Sequence, residues 1–362
     1  MAAFVKGMEL CQQFYSEAVL PVLNRHFPNL THSAGRLGPG SDVLGFDTPM
    51  SMDHDWGPRT TLFLSEPDLH TYHQQIEDAL LLDLPREIHG FPTFFSVNED
   101  GTERPQEPGD EAANHSVDVT TGSAFFEVYI GKDPLQPLDE LDWLSFPSQH
   151  LRTIASGQIF HDGLGHLEIA RTNVSWYPDD IWLYLMANQW RRIDQEEPFL
   201  GRCGDVGDEL GSQIIACRMI TELMRLCFLM AKSYPPYFKW FGTAFSRLGC
   251  AKKLTPIFHR VLSSGVWQER EKHLSEAYMI VSQMHNDLNV TPTVQPEVSP
   301  FHRRPFLVPH AERFVDALHG AIKSSAVRAL PRHAGAIWQF VDSTDVQSHS
   351  SRCMALTSIY QA

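Results

Sequence analysis

No two cysteines in the 362-residue chain stand in a Cys-x-x-Cys pair, and the six, at positions 11, 203, 217, 227, 250 and 353, form no zinc-like grouping with histidine. That excludes a zinc ribbon and a dithiol redox motif, and the cysteines read as free thiols. A basic start followed by an apolar run is missing from Met-Ala-Ala-Phe-Val-Lys-Gly-Met-Glu, so no secretory signal is expected and the chain is placed in the cytosol. On that placement the Asn-x-Ser/Thr sequons at Asn29, Asn114, Asn173 and Asn289 are chance matches. Long apolar runs are missing too. The most apolar stretch, residues 214–230, carries Arg218, Glu222 and Arg225 at near-helical intervals, so it reads as an amphipathic core helix and not a membrane span. Positive charge is scarce: 29 Lys and Arg stand against 44 Asp and Glu, a formal net charge of -15. Such a balance opposes attraction to phosphate backbones, which weighs against nucleic acid as a partner and favours small or cationic acceptors. Internal repeats and low-complexity tracts are also absent. What remains is 43% apolar and 11% aromatic, enough for substantial cores and, at this length, two domains.

One stretch organises the reading. Gly35-Arg36-Leu37-Gly38-Pro39-Gly40-Ser41-Asp42 places three glycines within six positions, leaving the backbone free to take positive φ and approach a ligand, with the Ser41 hydroxyl beside the exposed amides. That is a phosphate cradle, but not a Walker loop, since no Gly-Lys-Ser/Thr follows. Pro39 and Asp42 break the dinucleotide Gly-x-Gly-x-x-Gly spacing as well. Eleven residues separate Ser41 from Asp53, and Asp53 and Asp55 lie two apart, which on a strand would share one face. Adjacent carboxylates repel unless a cation lies between them, and hard oxygen ligands suit Mg²⁺ or Mn²⁺. Mg²⁺ takes only one or two protein carboxylates and fills its shell with water and substrate phosphate, so the pair suits a nucleoside triphosphate. His54 and Trp56 would point to the opposite face as packing residues.

Gly40-Ser41 followed by Asp53-x-Asp55 resembles the signature of the DNA polymerase β-type nucleotidyltransferase superfamily. The longer run from Arg36 through Asp47, with Asp53-His-Asp-Trp-Gly-Pro-Arg59, is similar to an uncharacterised bacterial and fungal family placed there; the kanamycin nucleotidyltransferase type supplies the architectural comparison. The resemblance implies an α+β chain with a nucleotidyltransferase catalytic domain on a short mixed sheet at residues 1–145 and an all-α, acceptor-binding domain at residues 146–362. It implies transfer of an NMP, AMP in the first instance, from an NTP to a hydroxyl of a small-molecule or protein acceptor, with Mg²⁺ or Mn²⁺ as cofactor and pyrophosphate released. Alternatives are an RNA-end nucleotidyltransferase or an inactive nucleotide-binding or interaction module, since fold does not secure function. A homodimer would be reasonable if the helical part completes a neighbour's site.

The superfamily carries a third acid on a neighbouring strand. His115-Ser-Val-Asp-Val-Thr120 alternates polar and apolar, so Asp118 projects from one face while Val117 and Val119 pack on the other, making Asp53, Asp55 and Asp118 the expected catalytic and metal residues. Glu127 competes, in a segment where a helix begins after Thr121. Gly40, Ser41, Arg36 and Arg59 are the expected nucleotide-binding residues, and Arg202, Arg218 and Lys239 are further cationic candidates for the triphosphate. Kanamycin-type enzymes draw a general base from their helical domain, which points to Glu197 or Glu209, with no motif choosing between them. The charged run around Arg191-Arg192 otherwise reads as a solvated face. His161-Asp162-Gly-Leu-Gly-His166 reads as a turn.

Helical periodicity predicts helices over residues 4–23, with Pro21 bending the end, and 67–82, with Pro67 in the first turn and Pro85 as the stop. Strands are expected at 30–37, 53–64, 91–97 and 115–120, with a mobile acidic loop at 98–114. From about Phe146 long amphipathic segments follow, at 178–197, 207–232, 234–248 and 266–288, then a proline-rich strap at 289–309 and helices near 310–326 and 334–340.

Overall fold

A computed structural model describes residues 3–99, 102–105 and 114–361. The chain divides into two compact units, Met1–Leu138 with Gln149–Ser175, and Asp139–Ser148 with Trp176–Ala362.

The first unit opens with helix α1 (residues 7–26), whose middle, Tyr15–Val19, is a π-helical turn. Pro21 lies just beyond it and has no N–H to give to the carbonyl of Glu17. The wider turn relieves that clash, so the expected bend is taken up inside the helix. Strands β1 (Ser33–Arg36) and β2 (Thr60–Leu64) follow, with helix α2 (Glu66–Asp83) after β2. Ser65 caps α2 by accepting from Asp68 N at 3.2 Å, and Pro67 sits in the first turn where no intrahelical donor is needed. Strand β3 (Val117–Thr121) leads into helix α3 (Gly122–Ile130), capped by the Thr121 hydroxyl at the boundary that the sequence predicts.

A fourth strand, β4 (Gln158–Asp162), completes a mixed sheet of order β3-β2-β1-β4. β2 runs antiparallel to β1 and parallel to β3, with Thr61 opposite Asp118; β1 and β4 are antiparallel across a bulge at Ala34/Gly35. The chain beyond residue 146 is thus not purely helical, as the sequence reading had it. β4 has only Ile159 and Phe160 as apolar residues, and it is a strand because β1 offers an edge. α1 and α2 cover the sheet through a core that includes Phe14, Val19, Leu62, Leu64, Ile76 and Leu80.

Residues 91–97, expected as one strand, split into Phe91–Pro92, paired with Glu87–Ile88, and Phe94–Val97. The expected loop at 98–114 contains a strand, Glu103–Pro105, antiparallel to Phe94–Val97, because Asn98 and Thr102 close a hairpin turn through Asn98 N and Nδ2. Residues 100, 101 and 106–113 of that segment lie outside the described ones.

The second unit is built on helices α4 (Asp179–Glu196), α5 (Glu209–Met230), α6 (Trp267–Asp287) and α7 (Glu312–Ala321), close to the expected positions. It is not all-α: within the proline-rich strap, Ser299–Pro300 pairs with Leu307–Val308. The helix expected from 234 starts at Phe238, since Pro235 and Pro236 hold the preceding residues extended. α4 is buried from Ile181 to Trp190, with Trp190 stacked on Phe314 of α7 at 4.2 Å between ring centres and Trp182 Nε1 donating to Leu229 O of α5. Among the described residues no helix is long and apolar enough to cross a membrane.

Candidate functional site

The glycine turn leaves β1 at Arg36, and Arg36 itself organises it. The guanidinium is buried; Nε donates to Asp42 Oδ2 at 3.0 Å and Nη2 to Pro39 O at 2.7 Å, so one side chain spans the turn from both ends. Burial opposes its charge, but Asp42 first, then Cys11 and Asp118, more than offset that and raise its pKa. Gly40 lies between the partners at φ +148°, and a Cβ there would stand 2.0 Å from Asp42 Oδ1 and 2.8 Å from Arg36 Nη2. Any side chain at position 40 therefore breaks the clasp as well as straining the backbone. Beyond it, Ser41 O accepts the amides of Phe46 and Asp47, closing a compact turn.

Asp47 ties this turn to α1. Its buried carboxylate accepts from Gly7 N at 2.7 Å, Trp56 Nε1 at 3.2 Å and Lys6 Nζ at 3.1 Å. The packing is close enough that a Cβ on Gly7 would meet both Asp42 and Trp56 at 2.7 Å. Asp42 and Asp47 are the residues that sequence reasoning left without a role. The available signal was their position: two acids flanking an apolar stretch right after the glycines, where solvation alone does not require them.

The expectation of a strand carrying Asp53 and Asp55 is not met. Thr48 and Ser51 form a capping box and Pro49 starts a single 3₁₀ turn, Pro49–Asp53; Asp55 takes left-handed φ of +49°, and the strand begins only at Thr60. Local turn chemistry wins over alternation. Both side chains are about half exposed. Asp53 contacts His54 Nδ1 at 3.0 Å, while Asp55 Oδ1 accepts from Glu103 N at 3.0 Å. Trp56 is a packing residue as expected, buried against Phe4 and Phe91, but His54 is half exposed. Arg59 is committed to Glu103 Oε2 at 2.7 Å and lies over the Phe95 ring, with Asp55 Oδ1 3.9 Å away.

Asp118 is exposed on β3 with Val117 buried behind it, as alternation predicts, and it is near enough to Arg36 to favour that cation. Glu127 stands on α3, where its carboxylate accepts from Ser123 Oγ. Among the described residues no three His, Cys, Asp or Glu side chains gather into a group that could hold a metal ion. Asp53, Asp55 and Asp118 are accordingly not gathered into one such group among the described residues. Asp162, in the His161–His166 segment, accepts from Gly165 N in the turn and from Leu167 N and Glu168 N at the start of the helix Leu167–Asn173, which is a turn and capping role.

The two candidate bases of the helical unit differ. Glu209 is bound to Arg270 at 3.0 Å and caps α6 by accepting from Trp267 N, so its carboxylate is taken up as a structural partner. Glu197 is buried at the end of α4 and accepts Ala311 N at 3.1 Å. Burial pushes its carboxyl up to about 8; Asp194 and Glu312 add to the rise, while the Ala311 amide and Arg313 oppose it. Folding therefore raises this pKa, so its stabilising contribution is full below the unfolded value near 4.5 and lost as pH climbs to about 8. Glu197→Gln keeps an oxygen for Ala311 N and has no proton to lose. Urea melts are expected to show the variant more stable than wild type at pH 8.5 by roughly 2 kcal/mol, with little difference at pH 4.5. Of the other cations, Arg218 pairs with Glu196, Arg202 lies over Phe199 and Lys239 over Trp240.

The first unit thus presents a glycine turn clasped at the end of β1 with an exposed acid two strands away. Among known proteins, the family described as "Domain of unknown function (DUF4037)" matches residues 143–241, a span that includes all of α4 and α5. No curated protein and no solved structure matches the chain.

Proposed function

We propose that the chain is a nucleotidyltransferase that moves an NMP, AMP in the first instance, from an NTP to a hydroxyl of a small-molecule or protein acceptor. The observation that carries this reading is the Arg36–Asp42 clasp, which holds Gly38 to Ser41 in a fixed turn at the end of β1, with Asp118 close enough to act on the same cation. A turn whose geometry is set before the ligand arrives meets triphosphate oxygens with backbone amides and the Ser41 hydroxyl at little reorganisation cost. Asp118 takes the proton of the acceptor hydroxyl, the acceptor oxygen bonds to the α-phosphorus, and the bond to the β-phosphate oxygen breaks to release pyrophosphate. Mg²⁺ or Mn²⁺ enters the proposal as the counter-ion that arrives with the triphosphate. The side chains as placed give it no three-ligand site, and no step is assigned to it.

That same dispersal of the aspartates favours a second reading, a module that binds nucleotide without turning it over. One experiment separates them. The full chain is incubated with each α-labelled NTP and Mg²⁺ or Mn²⁺ over pooled metabolites, proteins and RNA, following label and pyrophosphate. Metal-dependent label in a metabolite or protein with stoichiometric pyrophosphate is the expected result. Label confined to RNA ends would replace the acceptor class, and nucleotide bound with neither metal dependence nor pyrophosphate would replace the proposal by the binding module.

A further inference from the structure

Cys227 and Cys250 are free thiols that meet inside the helical unit. Cys227 is buried on α5, whereas Cys250 is half-buried in the cap position of the helix Ala251–Ser263, and the Cys227 thiol donates a hydrogen bond to the Cys250 sulfur. Ring packing holds the two together. Phe228, next to Cys227, lies 5.4 Å from Phe241 and 6.4 Å from Phe245 between ring centres, and Phe245 lies 5.8 Å from Phe258. The helices on either side of Cys250, Phe238–Phe245 and Ala251–Ser263, are thereby seated together against the end of α5 that carries Cys227.

The surroundings of Cys250 favour a thiolate. The hydrogen bond from Cys227 first, and the residue's own backbone amide after it, hold the Cys250 thiol below its ordinary value against the opposing effect of burial. The same bond, and then burial, hold Cys227 well above its own. Charge acts in the same direction. From Leu223 to Gln268 the chain has seven Lys and Arg and no Asp or Glu, although its formal net charge is -15. Exposed Lys252 and Lys253 stand in the first turn of the helix that Cys250 caps, with no acid there. Cations are unfavourable at the positive end of a helix dipole, and a thiolate at that position offsets them. A Cβ on Gly249 would meet nothing within 4 Å, so the approach beside Cys250 is open to a small molecule. Cys11 and Cys353 are the contrast. Burial pushes their thiols up to about 12 and about 11, which keeps both protonated and inert.

We infer that Cys250 is a peroxide-reactive thiol and Cys227 its resolving partner, the two closing an intramolecular disulfide. The inference does not rest on the nucleotidyl-transfer reading, and its test contains no nucleotide. The Cys250 thiolate attacks one oxygen of a hydroperoxide, the O–O bond breaks, and the departing oxygen takes up a proton; Cys250 is left as a sulfenic acid. The Cys227 sulfur then attacks the Cys250 sulfur, the S–O bond breaks, and the hydroxyl leaves as water with the Cys227 proton. With hydrogen peroxide, two thiols thus give one disulfide and two waters, the sulfur pair losing the two electrons that the peroxide gains. The reduced full chain is treated with an equimolar amount of hydrogen peroxide, remaining thiols are blocked with N-ethylmaleimide, and the digest is read by non-reducing mass spectrometry. A parallel sample contains dimedone to trap sulfenic acid. A Cys227–Cys250 disulfide is expected, formed at least about tenfold faster than any oxidation of the exposed Cys217. In Cys227→Ser the disulfide is lost and the dimedone adduct collects on Cys250. Oxidation of Cys217 or Cys203 ahead of Cys250, a disulfide between other cysteines or between chains, or a wild-type Cys250 that stays reduced or stops at the sulfenic acid would overturn the inference. These readouts on the wild-type chain decide the matter if the Cys227 variant fails to fold.

Discussion

Asp42→Ala is expected to cost the first unit about 3–5 kcal/mol, read in thermal melts as a fall of roughly 10 °C. The size follows from what is left behind. Arg36 is buried, its Nε has Asp42 as its partner, and nothing in Pro39 O neutralises its charge. Removing the acid strands a cation in a low-dielectric site, which is far more expensive than losing an exposed pair. The comparison that isolates this cause is the double variant Arg36→Leu with Asp42→Leu, which removes the charge together with its counter-charge and is expected to regain more than half of the loss, because two apolar side chains of similar bulk carry no desolvation penalty. If Asp42→Ala melts within about 1 kcal/mol of wild type, the clasp is not what holds the glycine turn.

Outside that clasp the sequence was more informative. Local signals located what local interactions build: Pro67 marked the first turn of α2 and Thr121 the start of α3. Alternation gave Asp118 its strand and its outward side chain. The failures are nonlocal or competitive. β4 has too little apolar periodicity to stand out, and it exists because β1 lacks a partner on that side. At Asp53 and Asp55 a capping box and a left-handed residue overrode the alternation that motif spacing suggested. Asp47 could be seen as an acid but not as the group that joins Gly7, Lys6 and Trp56, since those partners lie 40, 41 and 9 positions away.

Asp118→Asn is expected to lower nucleotidyl transfer by at least about a hundredfold while leaving the melt within about 0.5 kcal/mol of wild type. The second half follows from exposure: the side chain stands out from β3 opposite Thr61, so an amide of the same shape disturbs no packing. The first half follows from charge, because an amide cannot take the proton of an attacking hydroxyl. Glu127→Gln is the internal comparison, an equally conservative change on the next element, expected to keep the wild-type rate. Asp53→Asn and Asp55→Asn extend the test to the pair. In Asp55→Asn the remaining carbonyl oxygen still accepts Glu103 N, so a lost rate there reports charge rather than a collapsed turn. Rates of pyrophosphate release at saturating and limiting NTP separate the roles, since a carboxylate that acts on the acceptor lowers kcat whereas one that helps hold the triphosphate raises KM. An unchanged rate in Asp118→Asn removes it as the proton acceptor, and unchanged rates in both members of the pair remove Asp53 and Asp55 from the site altogether.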